Sequence, residues 1–322
     1  MRRALVLGAG GVLGASWTIG ALGSLEEVTG WDPREAEVLI GTSAGSVLAS
    51  LLGGGLSVEQ LLNHQRGVIV EGDPRIEYDS DTSSGGAMPP RPKLGIGSRA
   101  LLLRAARHPR KYPPLAIASA IAPRGQGSLD PVGSLVDAVV PAGEWVPHPK
   151  TWIIAMDYAT GKRVAFGRPG APHASLHDAV MASCAIPGWY QPVTINGRRY
   201  VDGGACSPTS LDLLAGEGLD EIYVLSPMTS FSYDEPDTVV GRLERRFRRA
   251  VTKRLLREAA KVRQSGTKVV MLGPGADDLR AIGVNLMDPS RRDAVLETSL
   301  RTSRAALEDA LRGPDGDFAA TG

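Results

Sequence analysis

Ser43 is the residue of this chain best placed for nucleophilic chemistry. It lies in Ile40-Gly41-Thr42-Ser43-Ala44-Gly45-Ser46, which reads Gly-x-Ser-x-Gly, with Val38-Leu39-Ile40 before the elbow and Val47-Leu48-Ala49 after it. A short buried strand that turns sharply into a helix needs glycine on both flanks, here Gly41 and Gly45, because side chains there would collide with the neighbouring elements. The bend lifts the serine hydroxyl clear of the sheet, over the positive end of the next helix. With 39 glycines in the chain, the same letters also describe a plain turn or an anion site at a helix start. The strand-before, helix-after context favours the nucleophile.

An activated serine needs a base and donors for the oxyanion formed on attack. Of the five histidines, His64, His108, His148, His173 and His177, none follows a late strand in a glycine-punctuated loop, where a Ser-Asp-His order would put it. His173 and His177 alone come near a plausible site, just before the helix that carries Ser183. The alternative base is Asp202 in Tyr200-Val201-Asp202-Gly203-Gly204, at a strand end where two glycines leave its carboxylate open. An aspartate merely closing a hairpin would look the same. At its ordinary pKa of about 3.9 it is a feeble base, and it needs hydrogen-bond contact with the hydroxyl in a pocket that excludes water. The donor candidate is the loop Gly8-Ala9-Gly10-Gly11-Val12-Leu13-Gly14. A dinucleotide fingerprint starting at Gly8 would need glycine at position 13, which is leucine.

The elements that must position these residues alternate. Arg3–Leu7 reads as a strand, Ala15–Leu25 as a buried helix, Val38–Ile40 as a strand, and the elbow leads into another helix. That order belongs to a parallel sheet covered by helices. Residues 57–130 change character: glycine, proline and serine are dense from Gly72 onward, with amphipathic pieces at Ala100–Ala106 and Leu115–Ala122. This segment is expected to fold over the main domain as a cap, or else to be a surface excursion. Pro131–Val140, a strand at Thr151–Met156, a hairpin to Arg163–Phe166 and a helix at Leu176–Cys184 come next. Asn196-Gly197 turns a second hairpin, Gln191–Ile195 into Arg199–Val201, directly before Asp202. A helix over Pro208–Ala215 and a strand over Glu221–Ser226 follow. Residues 242–263 form a basic amphipathic helix with Leu243, Phe247, Ala250, Val251, Leu255, Ala259 and Val262 as its apolar stripe. It is either an outer helix or a surface for anionic lipid headgroups. Lys268–Leu272 and Arg291–Leu311 are the last strand and helix. Residues 1–312 are thus expected to make one domain, with 313–322 a loose tail.

Composition narrows the class. At 322 residues, 43% hydrophobic and 22% charged, the chain has the make-up of a globular protein with a full core. A net charge of +1 argues against a nucleic-acid partner. Cys184 and Cys206 lack metal-site spacing and are too few for a disulfide framework. The apolar run after Met1-Arg2-Arg3 is cut at Gly8, too early for a secretion signal, and no window is long enough to span a membrane. A cytoplasmic protein, peripheral at the membrane if the basic helix docks there, is the expectation.

Four blocks together carry a resemblance: the glycine-rich loop after the first strand, Gly41-Thr42-Ser43-Ala44-Gly45, Met181-Ala182-Ser183-Cys184-Ala185-Ile186-Pro187-Gly188, and Asp202-Gly203-Gly204. In this order the chain resembles the patatin-like phospholipase family over roughly residues 4–228. The resemblance implies a three-layer α/β/α sandwich around a mainly parallel sheet. It also implies a Ser43–Asp202 dyad without histidine, an oxyanion hole at Gly10, Gly11 and Val12, and an acyl pocket shaped by Ala182–Gly188. The reaction would be hydrolysis of a lipid or other acyl ester through an acyl-enzyme, needing no metal or cofactor. Two positions depart from the family's loop. Ala9 stands for its first glycine, and Leu13 for a basic residue that would add positive charge near the oxyanion. Other outcomes keep the same residues: transfer of the acyl group to an acceptor other than water, hydrolysis of small esters, or a lipid-binding regulator with little turnover.

Overall fold

Short aliphatic runs punctuated by glycine produce most of the expected elements in the computed structural model, which describes residues 1–73, 88, 91–93, 95–231, 236 and 238–312. β1 (Arg3–Leu7) leads into α1 (Gly11–Thr29), and β2 (Val38–Thr42) into α2 (Ala44–Gly53). α3 (Val58–Gln65), α4 (Arg99–Arg107), α5 (Pro114–Ile121) and α6 (Asp130–Asp137) precede β3 (Thr151–Asp157) and β4 (Arg163–Phe166). α7 (Leu176–Cys184), the hairpin β5 (Val193–Ile195) and β6 (Arg198–Asp202), and β7 (Glu221–Leu225) follow. α8 (Val239–Arg263), β8 (Lys268–Leu272), α9 (Ala276–Ile282) and α10 (Arg292–Arg312) complete the described chain. The expected tail at 313–322 and most of the glycine-, proline- and serine-rich part of the insertion lie outside the described residues.

The sheet runs β5-β6-β3-β2-β1-β7-β8, with β4 also on β3. Its centre, β3-β2-β1-β7-β8, is parallel, while β4, β5 and β6 are antiparallel. Alternation splits the core in two. Leu5, Leu7, Leu39 and Ile153 face a cluster with α1, α2, α6, α7 and α10. Val6, Ile40, Ile154 and Val224 face the other way, against Leu255, Ala259 and Val262 of α8. Parallel strands covered on both faces carry apolar residues throughout, and β2 and β3 are buried along their whole length. The layers are those of the α/β/α sandwich.

One feature of the register positions the site. β4 pairs with Ile153–Met156, overlapping both the stretch paired to β2 and the stretch paired to β6. β2 and β6 therefore share the opposite edge of β3 and meet end to end. Thr42 pairs with Ile154 and Asp202 with the next residue, Ala155. The strand ends that precede Ser43 and contain Asp202 thus arrive at one point.

Several expectations are corrected. Pro208–Ala215 is not an α-helix but a single 3-10 turn over Leu211–Leu214. Ser210 just before it is left-handed at φ 57°, and the Leu211 amide donates to the Glu258 carboxylate instead of entering a helix ladder. α1 begins at Gly11, four residues before the apolar pattern, and α9 was not foreseen. In the first half of α8 the buried positions are Gly241, Arg245 and Arg248, whereas Leu243 is exposed. The amphipathic pieces of the insertion do fold, as α4 and α5. Leu101, Ala116 and Ala120 pack on Met156, Tyr158 and Val201, and the Tyr158 hydroxyl donates to the Ser119 carbonyl at 2.7 Å.

Candidate active site

Ser43 has φ 53° and ψ −125°, a conformation that L-residues with a side chain adopt only under constraint. The constraint is steric and hydrogen-bonded. A Cβ on Gly45 would lie 2.1 Å from the Leu7 carbonyl oxygen, and one on Gly41 2.4 Å from that of Gly45, so α2 can start this close to the sheet only with glycine at both places. The Ser43 amide donates to Ser183 Oγ at 2.8 Å, and that hydroxyl donates to the Ile154 carbonyl at 2.6 Å. The Ser46 amide and hydroxyl both donate to the Ser43 carbonyl, at 2.7 and 2.6 Å.

Asp202 is delivered by the β5–β6 hairpin. Asn196 and Gly197 make its two-residue turn, both with positive φ, as the Asn-Gly pair requires. The Asp202 amide donates to the Ala185 carbonyl at 2.9 Å, so the end of α7 holds both residues, Ser43 through Ser183 and Asp202 through Ala185. The Asp202 carboxylate accepts a hydrogen bond from the Gly204 amide at 2.7 Å, and the Ser43 hydroxyl is near enough to favour its charged form. Burial outweighs both influences and pushes its pKa up to about 6.

The glycine loop ends at Gly10, where α1 begins. The Gly8 amide donates to the Leu225 carbonyl, Ala9 to Pro208 and Leu13 to Leu286, each at 2.9 Å. That leaves the amides of Gly10, Gly11 and Val12 without a hydrogen-bond partner among the described residues, at the positive end of a 19-residue helix. Gly11 takes φ +61°, and the Pro227 ring and Met287 sulfur pack where Cβ atoms on Gly10 and Gly11 would be. Ala9 is not left-handed, so its methyl costs the loop nothing. Leu13 is fully buried in the core, so no cation extends from that position.

Gly11, Val12 and Ser43 line one cavity of about 120 Å³. Most of its wall is apolar, with Val47, Leu48 and Leu51 from α2, Leu61 from α3, and Val132 and Leu135 from α6. Cys184 and Ile186 from the Ala182–Gly188 block also line it. Of the described residues in 57–130, those on the wall come from the two ends, α3 and Leu129; α4 and α5 are not on it. Burial pushes the Cys184 thiol up to about 12, leaving it a neutral apolar lining group.

The histidine expectation changes. His177 bonds Asp137 at 2.8 Å, and His148 bonds the Ala36 carbonyl and Thr151. His64, not His173 or His177, is the one on the cavity wall. The carboxylate that the Ser43 hydroxyl influences is nevertheless that of Asp202. Ser183, which locks the elbow, is not legible in the sequence: nothing in Met181–Gly188 marks its bond to Ser43, 140 residues away.

A family model described as patatin-like phospholipase matches residues 5–215, from β1 through the elbow and Asp202. The chain belongs to the patatin-like phospholipase family. Relatives within reach are uncharacterized NTE family proteins of Mycobacterium tuberculosis and Mycobacterium bovis, 37% identical over 97 residues. That alignment covers 30% of this chain and spans 25% of the length of those relatives. Among solved structures, VipD from Legionella pneumophila is similar over 94% of this chain and 66% of its own, with TM-score 0.45 and 15% identity. The type III effector ExoU is similar over 94% of this chain and 52% of its own, with TM-score 0.36 and 16% identity. Ser43, Asp202 and the glycine loop all fall inside the matched patatin-like region.

Proposed function

We propose that this patatin-like protein is a serine lipid acyl hydrolase working through a Ser43–Asp202 dyad. The observation that carries the proposal is a serine in a constrained elbow on an apolar cavity, where the strand ends leading to Ser43 and to the buried Asp202 carboxylate converge and a glycine loop offers amides with no partner among the described residues. Ser43 Oγ attacks the ester carbonyl as its proton passes to Asp202. The carbonyl oxygen, now negative, accepts from the amides of Gly10, Gly11 and Val12; removal of one such donor commonly costs about a hundred- to thousand-fold in rate. The carbonyl re-forms, the C–O bond to the alcohol breaks, and Asp202 returns the proton to that leaving oxygen. Asp202 then takes a proton from water as it attacks the acyl-serine, and the second collapse frees the fatty acid and restores Ser43. A carboxylate raised to about 6 stays ionised at neutral pH and is a better proton acceptor than one at the ordinary value.

Fluorophosphonate labelling tests this directly. Wild type should label at Ser43 and hydrolyse p-nitrophenyl and phospholipid esters; Ser43→Ala should lose both. Asp202→Asn should lose hydrolysis while remaining folded. Failure of wild type to label in any detergent rejects the dyad, and retained hydrolysis in Asp202→Asn rejects Asp202 as base. Peripheral contact of α8 with an anionic membrane belongs to the same proposal. Its exposed Arg246, Lys253 and Arg257 sit on the helix that also exposes Val239, Val240 and Leu243.

A further inference from the structure

The wall of the cavity at Ser43 suits an acyl chain, yet one residue breaks its apolar character. Arg292, the first residue of α10, enters the lining beside Met287 and the glycine loop. It is the one permanently charged side chain among the described residues of that wall. It is half-buried, and it makes no hydrogen bond or ion pair with any described residue. Its neighbours differ. Arg291 is tied to the carbonyls of Ile282 and Arg280, while Arg304 and Arg312 of the same helix are paired with Glu27, Glu308 and Asp309. A guanidinium drawn out of water without a counter-charge is unfavourable, and it becomes favourable when an anion accepts its paired donors.

The position says where that anion belongs. The Leu286 carbonyl accepts the Leu13 amide at 2.9 Å, and the Met287 sulfur packs on Gly11, so the chain leading to Arg292 lies against the oxyanion loop. An anionic group at Arg292 would share one small cavity with the ester at Ser43. A glycerophospholipid hangs its phosphodiester and its esters from a single glycerol unit and offers that pairing of charge and carbonyl. A neutral glyceride does not.

We propose that Arg292 is a specificity-determining residue that binds the phosphodiester of a glycerophospholipid while its ester is presented to Ser43. This rests on the acyl-hydrolase function proposed above. It replaces the positive charge missing at Leu13 with one from the far end of the chain.

The test compares phosphatidylglycerol with diacylglycerol of identical acyl chains in the same mixed micelles. Arg292→Gln should lower kcat/KM on phosphatidylglycerol by about 10- to 100-fold, mostly through KM, as loss of a charge-assisted hydrogen bond predicts. Diacylglycerol turnover and the rate of fluorophosphonate labelling at Ser43 should stay within about 2-fold, showing an intact site. Arg292→Lys should recover part of the loss, since it restores charge but not the paired donors. Equal losses on both lipids would mean that Arg292 only holds the fold, and no loss on phosphatidylglycerol would mean that it never meets the headgroup. Either result overturns the inference while the hydrolase function stands. If wild type neither labels nor cleaves either lipid, the hydrolase function fails and takes this inference with it.

Discussion

Asp202 at the residue scale is a carboxylate kept available by opposing effects. Burial raises its pKa, while the Ser43 hydroxyl and Gly204 amide hold it down, and the balance is about 6. In the proposed role of base it must be ionised, so kcat/KM should be level above about pH 7 and fall roughly tenfold per unit below the pKa. A pH–rate profile on a soluble ester checks this, and a profile flat down to pH 4.5 refutes it. The stability consequence has the opposite sign. A folded pKa above the unfolded value of about 3.9 means full stability below pH 4, lost as pH rises towards 6. The loss is on the order of 2–3 kcal/mol, at 1.36 kcal/mol per pKa unit. Asparagine removes that cost and keeps an oxygen to accept from the Gly204 amide. Asp202→Asn should therefore unfold at higher urea than wild type at pH 8 and at the same urea near pH 4.

At the scale of elements, α8 braces the candidate oxyanion loop from the far face of the sheet. Its buried Glu258 accepts from the hydroxyls of Ser207 and Thr209 at 2.6 and 2.9 Å, from the Leu211 amide at 3.0 Å, and from Arg254. The segment so held carries the Pro208 carbonyl that accepts the Ala9 amide. Arg248 donates to the Pro227 carbonyl at 2.6 Å, and the Pro227 ring packs on Gly10. Removing the carboxylate strands several buried donors, each worth about 1–3 kcal/mol. Glu258→Ala should destabilise the fold by about 3 kcal/mol in urea unfolding and lower kcat together with stability. Glu258→Gln, which still accepts, should cost less than half as much. An indifferent Glu258→Ala would show that the 207–211 segment holds itself.

Considered whole, the molecule carries its cavity on the α1/α2 face of the sheet, while α8 covers the other face. Arg248 nevertheless reaches Pro227, just past the carboxyl end of β7, so the first half of α8 lies at the end of the sheet where Ser43 projects. Val239, Val240 and Leu243 are more than 60% exposed there, with cationic residues along the helix. Among the described residues no helix is long and apolar enough to cross a membrane. Binding to phosphatidylglycerol vesicles should weaken markedly between about 50 and 300 mM salt, because the Debye length shrinks to a few ångströms. It should also fall with Arg246→Glu and Lys253→Glu. Binding insensitive to salt and to lipid charge would identify α8 as an ordinary outer helix.

Local chemistry made much of this legible in the sequence. Glycine at 41 and 45 marks a bend that only a backbone without Cβ can make, Asn196-Gly197 specifies a tight hairpin, and aliphatic runs bounded by such turns make strands of a covered sheet. Ser43, Asp202 and the glycine loop could be named because each stands at an element's end. What the sequence did not contain is distance. That β2 and β6 meet on one edge of β3, that Ser183 ties the elbow down, and that Arg292 enters the cavity all depend on contacts between residues far apart in the chain. The burial of Arg245 and Arg248 in place of Leu243 is a nearer effect: periodicity predicts an apolar stripe, but carbonyls such as that of Pro227, supplied by a neighbouring loop, decide which side chain the face accepts. Residue types set the available chemistry, and the register of the sheet brings it to one place.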